Sequence, residues 1–210
     1  MSLPAEHRSA VLANQVRPAD RWGKPCRAYN VCVRPDPAAT AGFTAAQAAL
    51  AEPALLAVPE PAMHANLTWL LPVHEEFDRP KDELWALRGP EWIAALTEVA
   101  TGISGFRLRF RQLAATDSAV IAVADEPNPF SALRRTLAPL LRTPGASSAG
   151  NLAHVTLFRY AGPLRDPADF LDRLAGLEFG VDVDVRELLV IRERVFPSLD
   201  YDVLHRVRLG

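Results

Sequence analysis

Hydrophobic and polar positions change period several times along the chain, and the changes mark out its elements. Residues 27–34 (RAYNVCVR) alternate and favour extended backbone, predicting a strand that Pro35 and Pro37 stop. Residues 40–52 are Ala-rich and amphipathic, a predicted helix despite Gly42, closed by Pro53. A short apolar run at 54–58 precedes a predicted strand over 63–71 (MHANLTWLL), ended by Pro72. Residues 82–102 have helical spacing, with Leu84, Trp92, Leu96 and Val99 as core candidates. Residues 106–112 (FRLRFRQ) alternate strictly, with Phe106, Leu108 and Phe110 on one face and three arginines on the other. Residues 119–124 (AVIAVA) follow after a short turn, so the two segments read as a hairpin.

The same kinds of element then recur. Residues 129–141 are helical, with Pro139 near the end, and a Gly/Ser-rich loop, TPGASSAG, leads into a strand over 152–160 (LAHVTLFRY). Residues 166–177 form a helix with Asp166 as N-cap and Pro167 in its first position. Strands follow at 181–185, 187–194 and 201–209. Adjacent strand pairs interspersed with helices predict an α+β fold with antiparallel sheets carrying helices on one side. The recurring element order predicts a bilobal domain over 26–210. Its two pseudo-symmetric lobes, each a sheet with flanking helices, surround a central cleft and divide near 125–130. Residues 1–25, with Pro4, Pro18 and Pro25, read as an N-terminal extension holding one short helical turn.

Composition narrows the setting. The 210 residues are 49% hydrophobic, enough for one large domain or two closely packed lobes. A net charge of −2 gives no field that gathers double-stranded DNA, while a small phosphorylated ligand or a single-strand end needs only a local cluster of donors. No segment has the run of apolar residues that crosses a bilayer, and the first residues lack the apolar stretch of a signal peptide. Cys26 and Cys32 fit neither a CxxC pair nor a zinc site, which points to a reducing cytoplasm, with no metal and no cofactor expected.

The chemistry concentrates in two strands. In His154-Val155-Thr156-Leu157, the imidazole and the hydroxyl share one strand face while Val155 and Leu157 turn inward. An imidazole titrates near neutral pH, and a hydroxyl two residues on can hold a phosphoryl oxygen. Such a unit alone is common, arising by chance in about one in eight chains of this length. A second polar-faced segment half a chain earlier, with His64, Asn66 and Thr68 in alternation, predicts two such strands opposed across the cleft.

This pair resembles the two-histidine phosphoesterases, the 2′-5′ RNA ligase-like and cyclic phosphodiesterase-like proteins, which carry a His-x-Thr/Ser-x motif on equivalent strands of two lobes. The second motif matches completely at residues 154–157, and the closing strands around ERVFPSLDYDVLHRVRL fit as well, so the resemblance spans about 27–209. The first motif departs from the pattern and leaves two registers open. Thr68 is the family threonine with Asn66 in the histidine place, or His64 is the family histidine with Asn66 in place of the threonine. The first is favoured because LTWLLP fits an apolar run ending in proline.

The resemblance implies metal-independent opening of a 2′,3′-cyclic phosphate or cleavage of a 2′-5′ link, on a small nucleotide or an RNA terminus. His154 and His64 are then general acid and base, with Thr156, Thr68 and Asn66 on the phosphate. The alternative is a degenerate protein of the same fold that binds a nucleotide or phosphate without turnover, because asparagine shuttles no proton.

Other candidates have plainer readings. Tyr29 is placed at the cleft edge against a base or sugar, although a sheet-surface tyrosine is the commoner case. Arg107, Arg109 and Arg111 read as a solvated strand face, and Arg192 and Arg194 as surface pairs or phosphate contacts. Trp69, Trp85 and Trp92 read as core or lobe-interface residues, and His74 as a solvent histidine. Residues 145–150 lack the GK[ST] of a phosphate-binding loop and read as a flexible rim.

Overall fold

A computed structural model describes residues 5–141 and 152–210, and the Gly/Ser-rich rim at 145–150 lies outside them. The elements in chain order are α1 (Ala5–Leu12), β1 (Pro25–Val33), α2 (Pro37–Leu50), β2 (Leu55–Ala57), β3 (Ala65–Leu71), α3 (Lys81–Thr101) and β4 (Phe106–Ala115). They continue with β5 (Ala119–Ala124), α4 (Pro129–Leu141), β6 (His154–Tyr160), α5 (Pro167–Gly176), β7 (Val181–Val185), β8 (Glu187–Val195) and β9 (Asp200–Arg208). The α+β class and nearly every strand follow the predicted pattern. Helix α2 begins three residues earlier than its hydrophobic pattern alone indicates. Asp36 accepts the backbone N–H groups of Ala38 and Ala39, with Pro37 in the first position, the same device that Asp166 and Pro167 supply to α5. Gly42 is tolerated in α2 because a Cβ there would come within 2.7 Å of Val181 on β7.

The strands form one antiparallel sheet in the order β7-β4-β5-β6-β3-β1-β8-β9, with β2 also paired to β6, and the sheet curls into a half-barrel. Its two halves meet where β3 and β6 pair through Ala65 and Val155. One half takes β1, β3, β8 and β9 and the other β4 to β7, so the halves interleave along the chain and do not divide at 125–130. The cause is the return of the last two strands to the edge of β1: Val31 pairs with Val190 on one side and Thr68 on the other.

The convex face carries the main core, in which Phe43, Leu67, Trp92, Leu96, Phe110, Phe130 and Phe158 are buried beneath the helices. The concave face holds two small apolar clusters. Ala114, Ala119, Ile121 and Val123 lie in one half, and Cys32, Leu189 and Ile191 in the other. The polar cleft lies between them.

The N-terminal residues are laid against this frame. Val11 of α1 is fully buried, and the Asn14 amide both donates to the Leu164 carbonyl and accepts the Leu164 N–H. The chain then ties the end of β6 to the turn after β8, through Ala19 N–H to Tyr160 O and Gly23 N–H to Phe196 O.

The arginine stripe on β4 is the solvated face it was read as. Arg107 bonds Asp184 and Arg111 bonds Asp182, both across on β7. Arg192 and Arg194 likewise pair with Asp202 and Asp200 on β9. Among the described residues, no helix is long and apolar enough to cross a membrane.

Candidate active site

Two bulges decide which side chains reach the cleft. On β6 one residue is inserted at Leu157, since consecutive Val120 and Ile121 of β5 face Phe158 and Thr156. On β3 the insertion is at Leu67, since consecutive Val31 and Cys32 of β1 face Thr68 and Asn66. An inserted residue reverses the alternation beyond it. Residues 64–70 and 154–160 consequently share one burial pattern, with positions 64, 66 and 69 half-buried in the first and 154, 156 and 159 in the second.

Each bulge leaves a carbonyl that a helix satisfies. Arg134 of α4, itself buried, donates through Nε to Leu67 O at 2.8 Å and through Nη2 to Asn66 O at 2.9 Å. Gln47 of α2 donates through Nε2 to Leu157 O at 2.7 Å and to Val58 O at 2.9 Å. The two motifs are therefore structural equivalents, each propped from beneath by one polar helix residue.

The result is a pocket of about 310 Å³ lined by His64, Asn66, Trp69, His154, Thr156 and Arg159, with Ser118, Glu193 and the turn Phe196–Ser198 around them. That volume sits at the lower end of small-molecule sites. Antiparallel register on either side of Ala65 and Val155 sets His64 towards Thr156, and Asn66 towards His154.

The imidazoles are held alike. His64 Nδ1 lies 2.8 Å from Ala62 O, and His154 Nδ1 lies 3.2 Å from Leu152 O. A carbonyl only accepts, so Nδ1 carries the proton in both rings and Nε2 keeps its lone pair. Burial pushes the His154 pKa down to about 4, and nearby Arg159 and Arg134 add to the shift. Burial lowers that of His64 too, with Arg159 and Arg34 contributing. Both rings are thus neutral at pH 7.

Arg159 is the pocket's main cation. Its Nη1 donates to Ser118 O at 3.4 Å, its guanidinium lies 5.8 Å from the Phe196 ring centre, and its Nε has no hydrogen-bond partner among the described residues. Glu193 is buried and accepts the Ser198 N–H at 2.5 Å. Burial raises its pKa to about 7, against the pull of that N–H and of Arg159. The polar set of imidazoles, amide, hydroxyl and guanidinium suits an anionic oxygen-rich ligand. No group of three or more His, Cys, Asp or Glu side chains arranged to hold a metal occurs among the described residues.

Four of the six expected site residues share this pocket: His154, Thr156, His64 and Asn66. Thr68 does not line it. The bulge at Leu67 turns Thr68 to the convex side, opposite the core residue Val31, with its hydroxyl 3.5 Å from Trp69 O. The favoured register is corrected accordingly: His64 stands where His154 stands in its own motif, and Asn66 where Thr156 stands. Tyr29 does not line the pocket either. It is buried on the convex side, stacked on Trp85 at 4.9 Å, and its hydroxyl bonds Asp82. Trp69 belongs to the pocket, whereas Trp85 and Trp92 pack in and around the core. His74 is exposed, edge-on to Phe196 at 5.7 Å. Arg159, Arg134, Gln47 and Glu193 were not singled out from the sequence. Strict alternation from Thr156 points Arg159 into the core, and only the bulge reverses it.

Solved structures share this arrangement of elements. TT0787, a protein of Thermus thermophilus, is 23% identical, covers 87% of this chain and 97% of its own, and superposes with a TM-score of 0.66. E. coli LigT complexed with 3′-AMP is 16% identical over 89% of this chain and 99% of its own, with a TM-score of 0.59. A structure described as a phosphoesterase is 15% identical over the same shares, with a TM-score of 0.55. No family model matches the sequence, and no curated protein matches it significantly. The chain shares the fold of these structures.

Proposed function

We propose that this protein is a phosphoesterase that opens a 2′,3′-cyclic phosphate, or cleaves a 2′-5′ link, on a nucleotide or RNA end without a metal. The observation that carries the reading is the pair of imidazoles on adjacent strands, each anchored through Nδ1 and opening onto one pocket with Arg159. A phosphate seated there would accept hydrogen bonds from Arg159, Thr156 and the Asn66 amide. One histidine Nε2 takes a proton from water as its oxygen attacks phosphorus. The bond from phosphorus to one sugar oxygen breaks, and the other histidine, as imidazolium, protonates that oxygen. Burial disfavours imidazolium, and the negative charge of a bound phosphate would offset that cost. Trp69 and Phe196 offer apolar faces to the nucleoside. The complex of LigT with 3′-AMP is consistent with a ligand of this class. The free thiols at Cys26 and Cys32 accord with a reducing, cytoplasmic setting.

The test is hydrolysis of 2′,3′-cyclic nucleotides and 2′-5′ dinucleotides by the purified protein, with His154→Ala as control. Turnover that is lost in that variant supports the reading. An absence of turnover, with 3′-AMP still bound, favours the second reading, a degenerate binding protein. Asn66 is what speaks for that second reading, because one motif lacks its hydroxyl.

A further inference from the structure

The concave face continues past the pocket. One register row crosses from Asn66 to Cys32 on β1, to Leu189 on β8 and to Arg206 on β9. It leads to a second cavity of about 620 Å³, lined by Arg34, Pro35, Arg186, Leu189, Val203 and Arg206 together with three carboxylates. Two strand spacings, about 10 Å, separate Asn66 from Leu189. Tyr201 links the two regions. It packs on the Cys32–Leu189–Ile191 cluster, and its hydroxyl donates to Pro61 O at 3.0 Å, beside the 62–64 segment that holds His64. The Arg34 guanidinium lies 5.9 Å from the centre of the Tyr201 ring.

The carboxylates of this second cavity are already engaged. Asp36 caps α2, Asp184 is held by Arg107, and Glu187 is held by Arg206. Arg34 and Arg186, by contrast, have no carboxylate within 4.0 Å among the described residues and are exposed. An apolar floor of Leu189 and Val203, a neighbouring aromatic ring and two guanidiniums without carboxylate partners together suit a base on the floor and phosphodiesters at the rim. Strand geometry sets this cavity one to two nucleotides from the pocket.

We propose that the second cavity is a subsite for the nucleotides preceding the terminal phosphate, so that the ligand is an RNA strand end in preference to a mononucleotide. This rests on the phosphoesterase reading for the identity of the end group, while the subsite itself is tested by binding alone. The probes are a 5′-fluorescein-labelled triribonucleotide bearing a 3′-phosphate, followed by anisotropy, and 3′-AMP, followed by calorimetry. The trinucleotide is expected to bind at least about tenfold more tightly than 3′-AMP at 50 mM salt. With two phosphate contacts its affinity should fall about sevenfold by 200 mM.

Arg34→Gln/Arg186→Gln, checked for an unchanged melting temperature, should bring the trinucleotide to the level of 3′-AMP, and Arg186→Gln alone should leave 3′-AMP binding unaltered. Arg186→Glu alone should act in the same direction. A trinucleotide that binds no more tightly than 3′-AMP overturns the subsite, and so does an advantage that survives the double substitution. Failure to hydrolyse any cyclic phosphate sinks the phosphoesterase reading instead and leaves this binding comparison intact.

Discussion

The strand segments at 64–69 and 154–159 are built on one plan and filled differently. Both carry a histidine tethered to the carbonyl two residues back, a polar side chain two residues on, a bulge, and a large side chain beyond it. In the second segment these are His154, Thr156 and Arg159, and in the first His64, Asn66 and Trp69. Equivalent backbones therefore present unequal chemistry. One side offers a hydroxyl and a permanent cation, and the other offers an amide and an indole. The tethered imidazoles are the part kept in common. On the proposed reading, anion binding would concentrate on the β6 side and apolar contact on the β3 side, giving an asymmetric ligand, phosphate at one end and nucleoside at the other, one way to enter.

The sharpest way to break this comparison is to remove each histidine in turn. His154→Ala and His64→Ala should each lower kcat on a 2′,3′-cyclic nucleotide by about 10²–10⁴, the usual worth of an acid–base group. A His64 variant that loses less than tenfold would show that the first strand takes no part in proton transfer.

Arg159→Ala should weaken binding of inorganic phosphate by roughly 10–100-fold, as expected for charge-assisted hydrogen bonds. Trp69→Ala should leave phosphate binding unchanged while weakening 3′-AMP. Equal effects on the two probes, measured by calorimetry, would erase the division of labour between the strands.

The histidines also leave a mark on stability. The folded-state pKa of His154 is about 4 against an ordinary value of 6.5, so between those values the unfolded chain binds the extra proton. That contribution is complete above pH 6.5 and is lost as pH falls towards 4, and His64 acts in the same direction. Glu193, raised to about 7, has the opposite slope between 4.5 and 7. His154→Gln should therefore gain stability relative to the parent on acidification across this window, in urea unfolding at each pH. A constant difference between the two proteins would mean that the ring is not buried neutral.

Making the strands alike should have a modest effect. Asn66→Thr is expected to raise kcat, and Thr156→Asn to lower it, each by no more than about tenfold, one hydrogen bond's worth. The smallest effect belongs to Thr68→Val. Its side chain faces the convex side, so hydrolysis should be unchanged and unfolding free energy should move by less than about 1 kcal/mol. A large loss of activity in that variant would restore the register in which Thr68 touches phosphate.

Much of the molecule was legible from residue pattern alone. Strand β5, helix α4 and strand β7 fall where alternation and helical spacing put them, and Asp166-Pro167 announced the start of α5. The equivalent signal at Asp36-Pro37 was present in the sequence and sets the start of α2. In the site, His154 and Thr156 were legible because no irregularity intervenes between them on one strand. Thr68 and Arg159 were not, because each lies beyond a bulge that reverses the facing of the residues after it. Tyr29 was misplaced for a related reason. Both faces of β1 are buried, so burial alone does not say which side meets the cleft.

The sequence by itself thus determined the α+β class, the run of strands and helices, and one intact His-x-Thr unit, since these depend on neighbours within a few residues. Only the tertiary structure decided that the last strands return beside β1, and that His64 takes the motif position of His154, with Asn66 in that of Thr156. It also decided that Arg134 and Gln47 hold the two bulges and that Arg159 turns to the cleft. Those outcomes depend on which carbonyls a bulge frees and which distant side chains reach them, a matter of packing between segments about 70 to 110 residues apart.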